Sequence, residues 1–176
     1  MYKRQIEAYH YIKLGKSDVM ISGGSEASVN EAALGGFNAL RALSTRNEEP
    51  SKASRPFDSG RDGFVLGEGA GTIILEEYEH AKKRGANIYC EVKGTGTSGD
   101  AYHLTAPEPN GIGAMQAMKN AIKESNLDLS EIDYINVHGT STPLGDPIEI
   151  KAIKQIFKEK IYNLNISSTK SMTGHL

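Results

Sequence analysis

Four short apolar runs constrain this chain most: DVMIS (18–22), GTIIL (71–75), DYINVH (133–138) and LNISS (164–168). Each is too short for a buried helix and reads as a buried strand. The first ends in Gly23-Gly24, which predicts a sharp turn there. Helical spacing fills the intervals. EAYHYIKL (7–14) sets Ala8, Tyr9 and Ile12 on one face, with Gly15 placed to end the helix. Ser28 and Glu31 have the form of a capping box opening a helix through ALGGFNALRAL, and EEYEHAKKRG gives a charged helix after the second strand. Met115, Met118 and Ile122 share a face in a helix over 111–125. Asp146, Pro147 and Glu149 supply a cap, a first-turn proline and an N3 carboxylate for a helix turning Ile148, Ala152, Ile153, Ile156 and Phe157 inward. Strands alternating with helices predict an α/β fold with a mostly parallel, covered sheet.

At 176 residues the chain can bury a core as one large domain or two small ones, and the turn-rich stretch at 84–88 is the natural internal boundary. Twenty Lys and Arg balance 22 Asp and Glu, which gives no electrostatic reason for nucleic acid or a membrane surface as partner. No apolar run approaches a membrane span, and the opening MYKRQIEAYHYIKLGKS has no signal-peptide core, so a soluble intracellular protein is expected. A single cysteine, Cys90, excludes an internal disulfide and any multi-cysteine zinc site. Residues 44–63 form a polar loop long enough to suggest a functional segment.

Several stretches invite a chemical reading. GTGTSG (94–99) has dinucleotide-binding spacing, but the prolines of DAYHLTAPEP deny it the helix that should meet a pyrophosphate. GEGAG (67–71) lacks a following helix and a P-loop lysine, and reads as close packing. Cys90 lies within IYCEV without a neighbouring base, as a buried, inert thiol does. His138 ends an apolar run, where open α/β sheets place ligands, although local backbone could equally satisfy it, with Thr140, Ser141 and Thr142 as turn residues. His175 closes STKSMTGHL just past the last strand, five residues after Lys170. Two neutral imidazoles converging on one pocket could donate N–H bonds to an enolate or oxyanion. A two-histidine zinc site is the rival, though no third ligand has suitable spacing.

The stretches DVMISGGSEAS, ALSTRNEEPSKASRPFDSGRDGFVLGEGAG, GTSGDAYHLTAPEP, VHGTSTPLGDP and STKSMTGHL together resemble the β-ketoacyl-acyl-carrier-protein synthases, the condensing enzymes of fatty-acid synthesis, and specifically the elongating synthase II type. The resemblance implies a thiolase-like fold, in part of an αβαβα layered sandwich with mostly parallel or mixed sheets. On that reading residues 1–85 end the N-terminal half and 86–176 form most of the C-terminal half. It implies an acyltransferase that joins an acyl-enzyme thioester to malonyl-carrier by decarboxylative Claisen condensation. His138 and His175 match the two catalytic histidines, and Lys170 the lysine that orders the second. The hydroxyls of Thr140 and Thr142 would meet the carrier's phosphopantetheine, with Gly139 permitting its close approach. No cofactor or metal is implied. The implied partners are acyl- and malonyl-loaded acyl carrier protein and a second copy in a homodimer. The implied compartment is the cytoplasm, or a plastid in a eukaryote. Arg41, Arg46 and Lys52 are candidates to meet an acidic carrier, or are ordinary solvated charges.

The family's nucleophilic cysteine would fall before Met1, and Cys90 does not match it. The chain therefore resembles an interior fragment, or a wrongly started reading frame, and is expected not to form the acyl-enzyme as written. The alternatives are a polyketide-synthase-type ketosynthase, which shares the histidines and GDPIE, and a non-catalytic partner resembling chain-length factors.

Overall fold

A computed structural model describes residues 2–176. In chain order the elements are α1 (Tyr2–Lys13), β1 (Val19–Glu26), α2 (Glu31–Ala39), β2 (Gly69–Glu76), α3 (Tyr78–Lys83), α4 (Ile112–Ser125), β3 (Tyr134–Asn136), α5 (Gly145–Phe157), β4 (Asn165–Ser167) and α6 (Lys170–Thr173). Strand β1 pairs antiparallel with β2, from Val19 against Glu76 to Glu26 against Gly69. Strand β3 pairs parallel with β4, from Tyr134 against Asn165 to Asn136 against Ser167, with α5 as the crossover. A parallel pair puts both C-terminal ends at one edge. The loops that follow β3 and β4 therefore leave side by side.

The core sits between α5 and that pair. The inward stripe of α5 is buried as its spacing predicts: Ile148, Ala152, Ile153, Ile156 and Phe157. Ile153, Ile156 and Phe157 pack with Val137 and Leu164, and Met115, Met118 and Ile122 of α4 close over them. Burying each large side chain of this stripe contributes roughly 1.5–3 kcal/mol. A second device ties α1 to α4. Glu124 takes Lys13 Nζ at 2.6 Å and, on its other oxygen, the Thr95 N–H at 2.6 Å and hydroxyl at 2.7 Å. Lys13 first, and Thr95 next, hold the Glu124 carboxyl down to about 2.

Several sequence expectations hold. Gly15 ends α1 at a φ of +66°, with its N–H on Ile12 O and that of Lys16 on Tyr11 O, the double bond of a Schellman ending. Gly94 and Gly96 lie so close to α4 that a Cβ at either would meet its backbone, at Ser125 or at Ala117. GTGTSG is thus a packing surface. In GEGAG, a Cβ on Gly67 would meet the Thr173 carbonyl.

Others are corrected. Gly23-Gly24 makes no turn: β1 runs on to Glu26, and Gly23 is needed because a Cβ there would meet Thr72 and the Gly71 carbonyl of β2. The cap of α2 is Asn30, whose Oδ1 accepts the Ala33 N–H at 3.0 Å, so the Ser28 box does not form. Helix α5 starts at Gly145, and the Asp146 carboxylate leaves it to accept the Phe57 N–H at 2.8 Å. The first sheet is antiparallel and only partly covered, by α1, with Ile21 74 % and Ile74 65 % exposed. Residues 87–99 pair with no strand among the described residues, which leaves Cys90 exposed where burial was expected. No helix among the described residues is long and apolar enough to cross a membrane.

Gly96→Ala should lower stability by roughly 1–3 kcal/mol, the usual cost of overpacking, because its methyl would overlap the Ala117 carbonyl. Gly71→Ala, which meets nothing, serves as the control. Urea unfolding followed by circular dichroism checks it. Equal midpoints for the two variants would refute the packing role.

Candidate active site

His138 stands two residues beyond β3, and Val137 continues that strand's pairing by donating to Ser167 O at 2.9 Å. His175 arrives from a different direction. Its N–H donates to Val65 O at 2.7 Å, and its carbonyl accepts the Gly67 N–H at 2.9 Å, an isolated parallel bridge with Leu66. The second histidine is therefore fixed by the segment before β2. The two imidazole centroids lie 5.3 Å apart with their planes at 84°. An oxygen about 2.8 Å from a nitrogen of each ring spans nitrogens up to about 5.6 Å apart, so one acceptor can serve both. Phe64 backs His175 at 5.2 Å and Phe37 backs Phe64 at 5.2 Å.

Electrostatics keep both rings neutral at pH 7. Burial, then the Lys170 ammonium and His175, push His138 down to about 4. Burial and Lys170 also lower His175. Lys170 is itself lowered by burial, opposed by the Glu149 carboxylate. Neutral imidazoles each offer one N–H without bringing a charge that would have to be desolvated.

The rings face a cavity of about 820 Å³. Phe37, Leu40, Phe64, Leu104, Leu144 and Ile148 supply its apolar wall. Thr140 and Thr142 line it as well, with their hydroxyls 3.0 Å apart. Thr142 Oγ1 also accepts the Gly145 N–H at 3.1 Å, which starts α5. Lys170 and Cys90 lie outside the lining, and Arg41 lies within it. Arg46 donates to Gly60 O at 2.9 Å, while Lys52 pairs with Glu49 at 2.6 Å, so both are engaged in their own loop. Among the described residues, no three His, Cys, Asp or Glu side chains form a cluster able to hold a metal ion.

Several residues that organise the site were not recognised in the sequence. Glu149 looked like a capping-box partner. Its carboxylate instead accepts the N–H of His138 at 2.7 Å and of Gly139 at 2.8 Å, clamping the exit loop of β3. The long loop is a strap across the same region. Arg55 N–H donates to Ser141 Oγ at 3.1 Å and Gly63 N–H to Ser141 O at 3.1 Å. Arg61 donates to Thr142 O at 3.0 Å and Pro143 O at 3.1 Å, beside the buried Asp146 carboxylate at 3.6 Å. Ser54 donates to Lys170 O. The signal was present in part: a polar run with buried partners must reach them somewhere, but sequence does not say where.

Comparison with known proteins gives a consistent picture. Residues 6–81 match the family model "Beta-ketoacyl synthase, N-terminal domain", and residues 89–176 match "Beta-ketoacyl synthase, C-terminal domain". The 3-oxoacyl-(acyl-carrier-protein) synthase 2 of Coxiella burnetii is 57 % identical over 160 residues, covering 91 % of this chain and 39 % of the relative. That of Staphylococcus aureus is 53 % identical over 170 residues, covering 97 % and 42 %. The chain thus spans about two fifths of these curated relatives. Among solved structures, a type II polyketide synthase ketosynthase in complex with its acyl-carrier protein matches with a TM-score of 0.95 and 41 % identity, over 98 % of this chain and 43 % of that one. A beta-ketoacyl synthase from Burkholderia phymatum matches at 0.91 and 44 %, over 99 % and 41 %.

The His138 shift has a direct consequence. The unfolded chain takes up a proton there near 6.5, the folded chain only near 4. Stability from this group is complete above 6.5 and is lost as pH falls from 6.5 toward 4. Lys170→Met should raise the titration midpoints of both histidines, because a positive neighbour is removed. Histidine C2–H exchange against pH, read by peptide mass spectrometry, reports each ring. Midpoints that stay put or fall would contradict the assignment.

Proposed function

The chain belongs to the beta-ketoacyl synthase family, and on that premise we propose that its paired histidines stabilise the enolate in an elongating 3-oxoacyl-carrier synthase of fatty-acid synthesis. Malonyl-carrier binds in the cavity with its thioester carbonyl toward the rings. The bond to the terminal carboxylate breaks, carbon dioxide leaves, and the electron pair moves onto the thioester oxygen. His138 and His175 each donate an N–H to that oxygen. The enolate carbon then attacks an acyl thioester carried on a cysteine, whose thiolate departs, and the chain grows by two carbons. The step assigned to residues of this chain is decarboxylation.

The observation that supports this most is the 5.3 Å edge-to-face approach of two imidazoles depressed toward neutrality. Lys170 orders the pair from outside the cavity, and Thr140 and Thr142 offer hydroxyls to the amides of phosphopantetheine. Arg41, which lines the cavity, is the candidate contact for an acidic carrier. The division into halves at residues 85 and 86, the homodimer and a cytoplasmic setting belong to the same reading. It requires no metal or cofactor of its own. The 53–57 % identity to relatives named 3-oxoacyl-(acyl-carrier-protein) synthase 2, against 41 % to the polyketide ketosynthase, favours fatty acid over polyketide elongation.

The test is carbon dioxide release from malonyl-carrier labelled in the free carboxyl. The chain should release it, and His138→Ala should slow release roughly 100- to 1000-fold, the usual cost of one oxyanion donor. An unchanged rate in His138→Ala, or no release by the unsubstituted chain, would contradict the assignment.

A further inference from the structure

Glu149 holds the His138 and Gly139 peptides by their N–H groups. Their carbonyls are held by a single residue, Ser168, the first past β4 and 6 % exposed. The Ser168 hydroxyl reaches His138 O at 3.2 Å and Gly139 O at 2.8 Å, and one proton is shared between them. The same oxygen accepts the Lys170 N–H at 3.3 Å. The Ser168 carbonyl accepts the Ser171 N–H at 3.2 Å and its hydroxyl at 2.9 Å, turning the chain into α6.

The approach that permits this is tight. Gly139 has a φ of +39°, and a Cβ there would lie 2.7 Å from Ser168 Cβ and 3.1 Å from the Phe57 ring. The backbone of the first loop rests directly on the side chain of the second. Ser168 does not line the cavity. We propose that Ser168 is a positioning residue, whose hydroxyl sets the orientation of His138 toward His175 by bridging the loops that follow β3 and β4. The proposal deepens the enolate reading and rests on it for its catalytic consequence.

The physical argument is one of rigidity. The peptide plane between His138 and Gly139 is gripped on both edges, by Glu149 at its N–H and Ser168 at its carbonyl, so it cannot rotate and the His138 ring leaves the backbone in one direction. Removing the carbonyl-side grip leaves Glu149 alone, which permits rotation about its own pair of bonds. Water then reaches the ring, and the burial that dominates its depressed titration is relieved. The charged group acting on both rings is Lys170, with Glu26 reaching His175, while Glu149 acts on Lys170. The substitution replaces none of these side chains, and it removes the acceptor of the Lys170 N–H.

Ser168→Ala in the 176-residue chain tests this, with Ser167→Ala as comparator. Ser167 is its neighbour on β4 and bonds Tyr134 Oη at 2.8 Å, away from both histidines. Histidine C2–H exchange should show the His138 midpoint rising by about one pH unit or more in Ser168→Ala and unmoved in Ser167→Ala. Release of carbon dioxide from malonyl-carrier should fall about tenfold in kcat with little change in KM, as for a group that acts only through the transition state. If Ser168→Ala loses amide protection across β3 and β4, Ser168→Cys, of similar size with a weaker donor, carries the measurement. A folded alanine or cysteine variant with the original His138 midpoint overturns the proposal. Should the unsubstituted chain release no carbon dioxide, the enolate reading falls, while the exchange midpoints still decide the role of Ser168.

Discussion

The parallel pairing of β3 with β4 is the constraint on which the site depends. Three registered pairs, Tyr134 to Asn165 through Asn136 to Ser167, bring two strand ends together that are about thirty residues apart in sequence. The crossover helix α5 supplies the buried stripe that holds the pair and, through Glu149 on its first turns, reaches back to clamp the loop it came from. A helix that both covers a strand pair and grips its exit loop makes the site inseparable from the core. Loosening the packing of Ile153 or Phe157 would be felt at His138.

The second histidine obeys a different rule. His175 is not set by β4 alone; its backbone pairs with Val65 and Gly67 in the strand-like approach to β2. The strap over residues 54–63 crosses the same boundary through Arg55, Phe57 and Arg61. The paired imidazoles are thus a product of both parts of the chain. Both rings come from residues 89–176, and backbone at Val65 and Gly67 from the other part holds the second in place.

Much of this was legible from residues alone. The strands at 133–138 and 164–168 follow from short apolar runs, although β3 and β4 are buried less than such runs predict, and the inward face of α5 follows from helical periodicity. That His138 and His175 could converge was read from strand ends and from the family resemblance, whereas the pairing with Val65 and Gly67 that sets His175 was not. What was not legible depended on partners distant in sequence. Asp146, read as a helix cap, serves Phe57 instead, since buried carboxylates go wherever an orphan N–H is found. Glu149 and Ser168 have ordinary local explanations, and nothing in their spacing marks the loops they hold. The exposure of Ile21, Ile74 and Cys90 was missed for a related reason. Apolar runs predict burial only where something packs over them, and α1 covers the first sheet too little to bury Ile21 or Ile74.

The central claim is that two imidazoles share one negative oxygen, and a double-mutant cycle measures sharing most directly. Malonyl-carrier decarboxylation would be compared in His138→Ala, His175→Ala and the double variant. Donors to one oxygen act together, so the double variant should be little slower than the worse single one. If the two losses instead multiply in full, the rings act independently, and the shared-oxygen account is wrong.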